Sequence, residues 1–74
     1  MYILYSKDNC SQCKSAEVLL SMKGLAYNVL KLDVDFSREE FISKFKNAKS
    51  FPMILKDGEY LGTFQDLQNE LKNI

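Results

Sequence analysis

YILYSKDNCSQCKSAEVLLSMKG, residues 2–24, is the stretch on which the fold turns. Tyr2-Ile3-Leu4-Tyr5 is a short β-favouring run that ends in the polar segment Ser6-Lys7-Asp8-Asn9. Two cysteines follow at once, Cys10 and Cys13. From Ser11 onward Cys13, Ala16, Leu19, Leu20 and Lys23 keep helical spacing, with Ser15 and Glu17 left for solvent, and Gly24 stands where a left-handed helix stop is wanted. The reading is a buried strand, a short loop carrying Cys10, and a helix over about Ser11 to Lys23.

Working outward, Tyr27 to Leu32 reads as a second strand, and strand-helix-strand with such short links implies a right-handed parallel crossover. Ser37-Arg38-Glu39-Glu40 is a capping box that opens a second helix, with Phe41, Ile42, Phe45 and Ala48 as its buried stripe. Glu39 and Glu40 at its start and Lys44, Lys46 and Lys49 toward its end suit the helix dipole. Met53-Ile54-Leu55 and Glu59-Tyr60-Leu61 flank Asp57-Gly58, a strong two-residue hairpin signal. Thr63 then caps a last helix, with Asp66 three residues on and Phe64, Leu67, Leu71 and Ile74 along one face. The expected order is β-α-β-α-β-β-α, an α/β fold in one domain over residues 1–74.

Composition narrows what such a chain does. At 74 residues, 46% hydrophobic and 27% charged, it is a small globular unit. Ten Lys and Arg offset ten Asp and Glu, so no basic surplus faces a nucleic-acid backbone, and nucleic acid is not an expected partner. The apolar runs fall far short of the ~20 residues a membrane span needs, and neither a signal peptide nor a membrane partner is expected. Histidine is absent, which removes the commonest proton-transfer side chain near neutral pH and a common zinc ligand.

Chemistry therefore falls to the two cysteines. With only these two, four-coordinate zinc within one chain lacks ligands. A bridge closing so short a loop removes little unfolded-chain entropy, so stapling explains the pair poorly. Cys10 precedes the helix and Cys13 lies one turn into it, so both sulfurs fall on the same side of the helix start and can join with little motion. Unpaired N–H groups there, with Lys7 and Lys14 nearby, favour a thiolate at Cys10 over a thiol that titrates near ~8.5 when free. Cys10 is the expected nucleophile. Cys13, beside Ala16 and the core, is expected to be more buried and to resolve the mixed disulfide. Pro52 stands before the third strand, where it is either a simple strand-entry residue or a cis proline, and spacing alone does not choose.

Three motifs taken together resemble the glutaredoxin branch of the thioredoxin superfamily: Lys7-Asp8-Asn9-Cys10-Ser11-Gln12-Cys13, then Ser50-Phe51-Pro52-Met53-Ile54, then Tyr60-Leu61-Gly62-Thr63-Phe64-Gln65-Asp66-Leu67. The resemblance covers essentially the whole chain. It implies the thioredoxin fold, a four-stranded mixed sheet flanked by three helices, and a cis bond before Pro52. It also implies glutathione as cosubstrate in a groove beside Cys10. Lys7 matches the position that pairs with the glycine-end carboxylate, and Gln12 the motif position lining that groove. Phe51 matches the residue whose backbone pairs with the cysteinyl part. Phe64 and Gln65 match the positions whose backbone N–H groups hold the γ-glutamyl carboxylate, and Asp66 the position that meets its amine.

The chain departs from the family pattern with Ser11-Gln12 between the cysteines, Ser50-Phe51 before the proline, and Thr63 after Gly62. Cys-x-Gln-Cys is similar instead to NrdH-type redoxins, which take electrons from thioredoxin reductase. The resemblance thus implies disulfide-bearing protein substrates, ribonucleotide reductase among them, with glutathione or thioredoxin reductase as the reductant. A third reading is a module in which Cys10 of two chains and two glutathiones bridge an iron–sulfur centre. A cytoplasmic monomer without bound metal is expected.

Overall fold

The computed structural model describes residues 1–46 and 51–72. Seven elements follow in the expected order: β1 (Tyr2–Ser6), α1 (Ser11–Met22), β2 (Tyr27–Lys31), α2 (Arg38–Lys44), β3 (Met53–Lys56), β4 (Glu59–Gly62) and α3 (Phe64–Leu71). The strands form one mixed sheet in the order β2-β1-β3-β4. β1 and β2 run parallel, with Tyr2 opposite Tyr27 and Ser6 opposite Lys31. β3 is antiparallel to β1, with Tyr5 opposite Met53, and to β4, with Lys56 opposite Glu59.

The two-residue side-chain period of the strands separates two cores. Tyr2, Leu4 and Ile54 point to one face, where α1 and α3 cover them with Ala16, Leu20, Leu67 and Leu71. Tyr5, Met53 and Leu55 point to the other, where they meet Phe41 of α2. Phe36, Phe45 and Phe51 pack around that second core, with Tyr5 edge-on to Phe36 and to Phe45 at 5.1 Å between ring centroids. Fully burying a leucine or phenylalanine side chain stabilises by about 1.5–3 kcal/mol, so each face holds its helices on.

Turn chemistry sets the element ends. α1 stops at Met22, with Lys23 as an exposed cap rather than a helical residue. Gly24 at φ 68 donates to Ser21 O and Leu25 to Leu20 O, the paired bonds of a Schellman stop. Asp57 and Gly58 both have positive φ, 52 and 86, as a type I′ hairpin turn requires. Gly62, at φ 132, leads into α3, and a Cβ there would collide with the Asp66 carboxylate. The positive φ favours glycine there, and a Cβ would also force the Asp66 side chain to move.

Further expectations are corrected. β2 ends at Lys31, and Leu32 makes only an isolated bridge to Phe36. α2 ends at Lys44, because Phe45 leaves helical geometry (φ −125, ψ 75) to turn its ring onto Tyr5 and Phe41; Lys46 lies past the helix. In so short a helix the aromatic contacts fix the inward face, and Ile42 is turned out at 54% exposure instead of joining the stripe. Glu17 is half-buried instead of solvent-facing. Ala48, Lys49, Ser50 and Ile74 lie outside the described residues.

Candidate active site

Cys10 is the N-cap of α1. Its backbone is extended (φ −118, ψ 101), its carbonyl accepts from Lys14 N at 3.3 Å, and its Sγ accepts from Cys13 N at 3.1 Å. The sulfur thus occupies the place where a Ser, Thr or Asp oxygen usually satisfies an orphan N–H. Cys10 and Cys13 are joined as a disulfide with their Cα atoms 5.2 Å apart. The two cysteines are unequal: Cys13 is 2% exposed and Cys10 half-buried. Disulfide exchange needs one reachable sulfur and one close behind it, which is the arrangement here.

The field around Cys10 favours an anion. The first turn of α1 holds no acidic residue, and backbone N–H groups at a helix start carry partial positive charge. An open cleft of about 860 Å³ runs from Cys10 across Ser6, Asp8, Glu17, Val29 and Lys31, with Lys7 and Lys14 also on its wall. Asp8 does not act as a lone negative charge in it. Its carboxylate is 2.6 Å from Lys31 Nζ, and this hydrogen bond and charge raise the Lys31 ammonium above its ordinary value of 10.5.

The strand register gathers the other motifs at the same end of the sheet. Tyr5 pairs with Met53, so Phe51 and Pro52 lie just beyond the start of β3, on the side where β1 ends in Ser6 and Lys7 follows. The Phe51–Pro52 bond is cis, as the resemblance implies. Pro52 is buried, and Phe51 is half-buried with its ring 4.8 Å from Phe41 and 6.1 Å from Phe36. Lys7 is exposed, with its ammonium 6.0 Å from the Phe51 ring centroid. Lys7 therefore links the cleft wall, which it shares with Cys10 and Cys13, to Phe51.

The remaining candidates are placed differently. Gln12 is exposed in the first turn of α1 and off the cleft wall. Gly62 pairs with Ile54, which brings the start of α3 to this same end of the sheet. There Phe64 packs against the α1/α3 core, and the Gln65 side chain lies in a groove with Leu19, Lys23 and Gln68. The Asp66 carboxylate accepts from Thr63 N at 2.9 Å and from the Thr63 hydroxyl at 3.2 Å. No helix of the described residues is long and apolar enough to cross a membrane.

Sequence reasoning did not single out Asp8 or Lys31. The signal that finds them is register: parallel pairing of the two predicted strands sets Ser6 opposite Lys31 and so puts Lys31 beside the cysteine loop. Helical spacing alone leaves Glu17 to solvent, whereas the same register puts it on the cleft wall with Lys31.

Comparison with known proteins agrees with this geometry. The chain is 31% identical over 64 residues to glutaredoxin 3 of Escherichia coli K12, covering 86% of this chain and 77% of that protein. It is 36% identical over 59 residues to the glutaredoxin-like protein NrdH of Lactococcus lactis subsp. cremoris, covering 77% of this chain and 78% of that one. Among solved structures, glutaredoxin 1 of Francisella tularensis, complexed with cacodylate, superposes with a TM-score of 0.83 at 19% identity over 97% of this chain and 92% of its own. A buckwheat glutaredoxin–glutathione complex gives 0.84 at 16% identity over 97% and 68%. These last two show the thioredoxin-like fold. The family model described as glutaredoxin matches residues 2–61. On its sequence, its fold and its paired cysteines, the chain belongs to the glutaredoxin family.

Proposed function

We propose that this redox protein is a dithiol–disulfide oxidoreductase that starts each exchange at Cys10. In the reduced form the Cys10 thiolate attacks one sulfur of a substrate disulfide. A bond forms between Cys10 Sγ and that sulfur, and the substrate's other sulfur leaves as a thiolate. Cys13 then gives up its proton and attacks Cys10 Sγ, releasing the second substrate thiol and leaving Cys10 and Cys13 joined. Substrate gains two electrons and the cysteine pair loses two. The observation that carries this reading is the Cys10 sulfur at the helix N-cap, accepting Cys13 N–H at 3.1 Å while bonded to the sulfur of Cys13, a residue only 2% exposed. Cys10→Ser should abolish disulfide reduction, whereas Cys13→Ser should still turn over glutathione mixed disulfides; parent-rate reduction by Cys10→Ser would sink the mechanism.

Glutathione is the proposed reductant. One glutathione thiolate attacks Cys10 Sγ and frees Cys13 as a thiol; a second attacks the glutathione sulfur of that mixed disulfide, giving oxidised glutathione and the Cys10 thiolate. Support comes from Lys7, which shares the cleft wall with Cys10 and stands over the Phe51 ring, and from the N–H groups opening α3 at the same end of the sheet. Lys7, Gln12, Phe51, Pro52, Phe64, Gln65 and Asp66 are the proposed contacts. Protein disulfides, including that of ribonucleotide reductase, are the proposed substrates, with the protein acting as a cytoplasmic monomer.

The 36% identity to a glutaredoxin-like protein NrdH, together with Gln12, favours a second reading in which thioredoxin reductase is the electron donor. Incubating oxidised protein with glutathione, or with thioredoxin reductase and NADPH, and counting free thiols separates the two.

A further inference from the structure

Lys7 and Lys14 are the cleft-wall lysines without an ion pair among the described residues, and of the two Lys7 has a ring beneath it. Among the described residues the ion pairs join Met1 N to Asp57, Lys31 to Asp8 and Lys56 to Glu70, and none includes Lys7. Asp8, its sequence neighbour, is taken by Lys31. The Lys7 ammonium instead stands over the face of Phe51, 6.0 Å from the centroid, where a ring attracts a cation. That ring is itself fixed, 4.8 Å from Phe41, whose own ring lies 5.5 Å from Phe45 and 5.7 Å from Tyr5. A four-carbon lysine stem otherwise samples many rotamers, so a fixed ring beneath it narrows where the charge stands.

We propose that Phe51 is a positioning residue whose ring, held by the aromatic core under α2, seats the Lys7 ammonium beside the Cys10 cleft and so sets the preference for disulfides carrying an anionic group next to the sulfur. The proposal rests on Cys10 being the attacking sulfur. It gives the Phe51 side chain a role separate from its backbone: a smaller or aliphatic residue keeps the N–H and C=O but loses the seat. α2, on the opposite side of the sheet from α1, thereby acts on the site through Phe41 and Phe51.

The test uses the fully reduced protein and two small disulfides of matched size, dithiodiglycolate and its neutral diamide, with loss of protein thiols followed after rapid mixing. The quantity read is the ratio of the two rate constants. Phe51→Leu is expected to lower the anionic-to-neutral ratio about two- to five-fold, the range for an exposed cation–ring contact. Phe51→Tyr, which keeps the ring, is expected to hold the parent ratio. In a Lys7→Met background the ratio is already low and Phe51→Leu should lower it no further, since both changes break the same interaction. An unchanged ratio in Phe51→Leu, equal losses in Phe51→Leu and Phe51→Tyr, or a full further loss on top of Lys7→Met would overturn the proposal. Lys7→Met removes no core side chain, so it decides the matter alone if Phe51→Leu does not fold: a parent-like ratio there is fatal. Reduction of neither disulfide by the parent dithiol would instead bring down the oxidoreductase reading itself, and this proposal with it.

Discussion

The three helix starts solve one problem in two ways. At α2 and α3 the third helical residue is an acid that reaches back to the cap: Glu40 accepts from Ser37 N at 3.1 Å, and Asp66 accepts from Thr63 N at 2.9 Å. Each carboxylate places a fixed negative charge on a positive helix end. At α1 the cap is Cys10, and the third position is Cys13. The slot that holds an acid twice elsewhere in this chain holds a sulfur here, and the reach-back is a covalent bond to the cap's own side chain. Reduction breaks that bond, and α1 is then the start without a carboxylate in its first turn. Its positive end is left to whichever sulfur carries the charge, and the half-buried Cys10 at the cap is the better placed. The same local architecture serves stability where the acid is permanent and chemistry where the capping group can be exchanged.

The largest effect expected from this contrast is on Cys10 itself. Cys10→Ser supplies a better conventional cap oxygen, so the fold should keep or slightly raise its thermal midpoint while disulfide reduction disappears. A loss of both together would mean that the sulfur is needed for the fold, and the division between chemical and structural caps would collapse. Next comes Gly62→Ala at the entry to α3. Positive φ and the overlap with Asp66 should together lower stability by about 1–3 kcal/mol, read by denaturant unfolding. A change near zero would show that the α3 cap can shift at little expense.

Much of this was readable from the chain, for identifiable reasons. The Ser37 to Glu40 box, the Asp57-Gly58 turn and the Gly24 stop depend on neighbours within a few residues, so sequence contains the whole interaction. Cys10 and Cys13 were legible for the same reason. A stripe that includes Ile42 assumes a full helix, and Phe45 abandons helical geometry for an aromatic contact made through β1. The Lys31 to Asp8 pair and the Phe51 seat under Lys7 join residues 23 and 44 positions apart, and only strand register brings them together. The local half of the site can be read in order along the chain; its electrostatic half depends on pairing across the sheet.

A smaller effect tests whether the missing acid in α1 matters. Ser11→Asp places a carboxylate in the first turn while leaving both cysteines in place, imitating α2 and α3. Negative charge there competes with a Cys10 thiolate for the helix end, an effect of about 0.3–1 kcal/mol at exposed sites, so alkylation of the reduced protein near neutral pH should slow about two- to five-fold. The inflection of rate against pH should move upward. An unchanged rate would show that the absence of acid in this turn is incidental.

The smallest effect concerns the carboxylate that the cleft does contain. Asp8 is compensated by Lys31, and Lys31→Met would leave it uncompensated beside Cys10, slowing alkylation by less than Ser11→Asp does because Asp8 lies outside the helix. The pairing has its own pH signature. Lys31 is raised above 10.5 by the hydrogen bond and charge of Asp8, so its proton is held more tightly folded than unfolded. Stability from the pair is fully present below the ordinary lysine value and is lost as pH rises through the raised one. Both groups are largely exposed, so the contribution is small and screened by salt. The gap in thermal midpoint between parent and Lys31→Met should therefore close both at strongly alkaline pH and in ~1 M salt. A gap that persists under both conditions would trace to packing of the lysine stem along Val29 and the cleft wall, and Asp8 would then count as a free negative charge in the site.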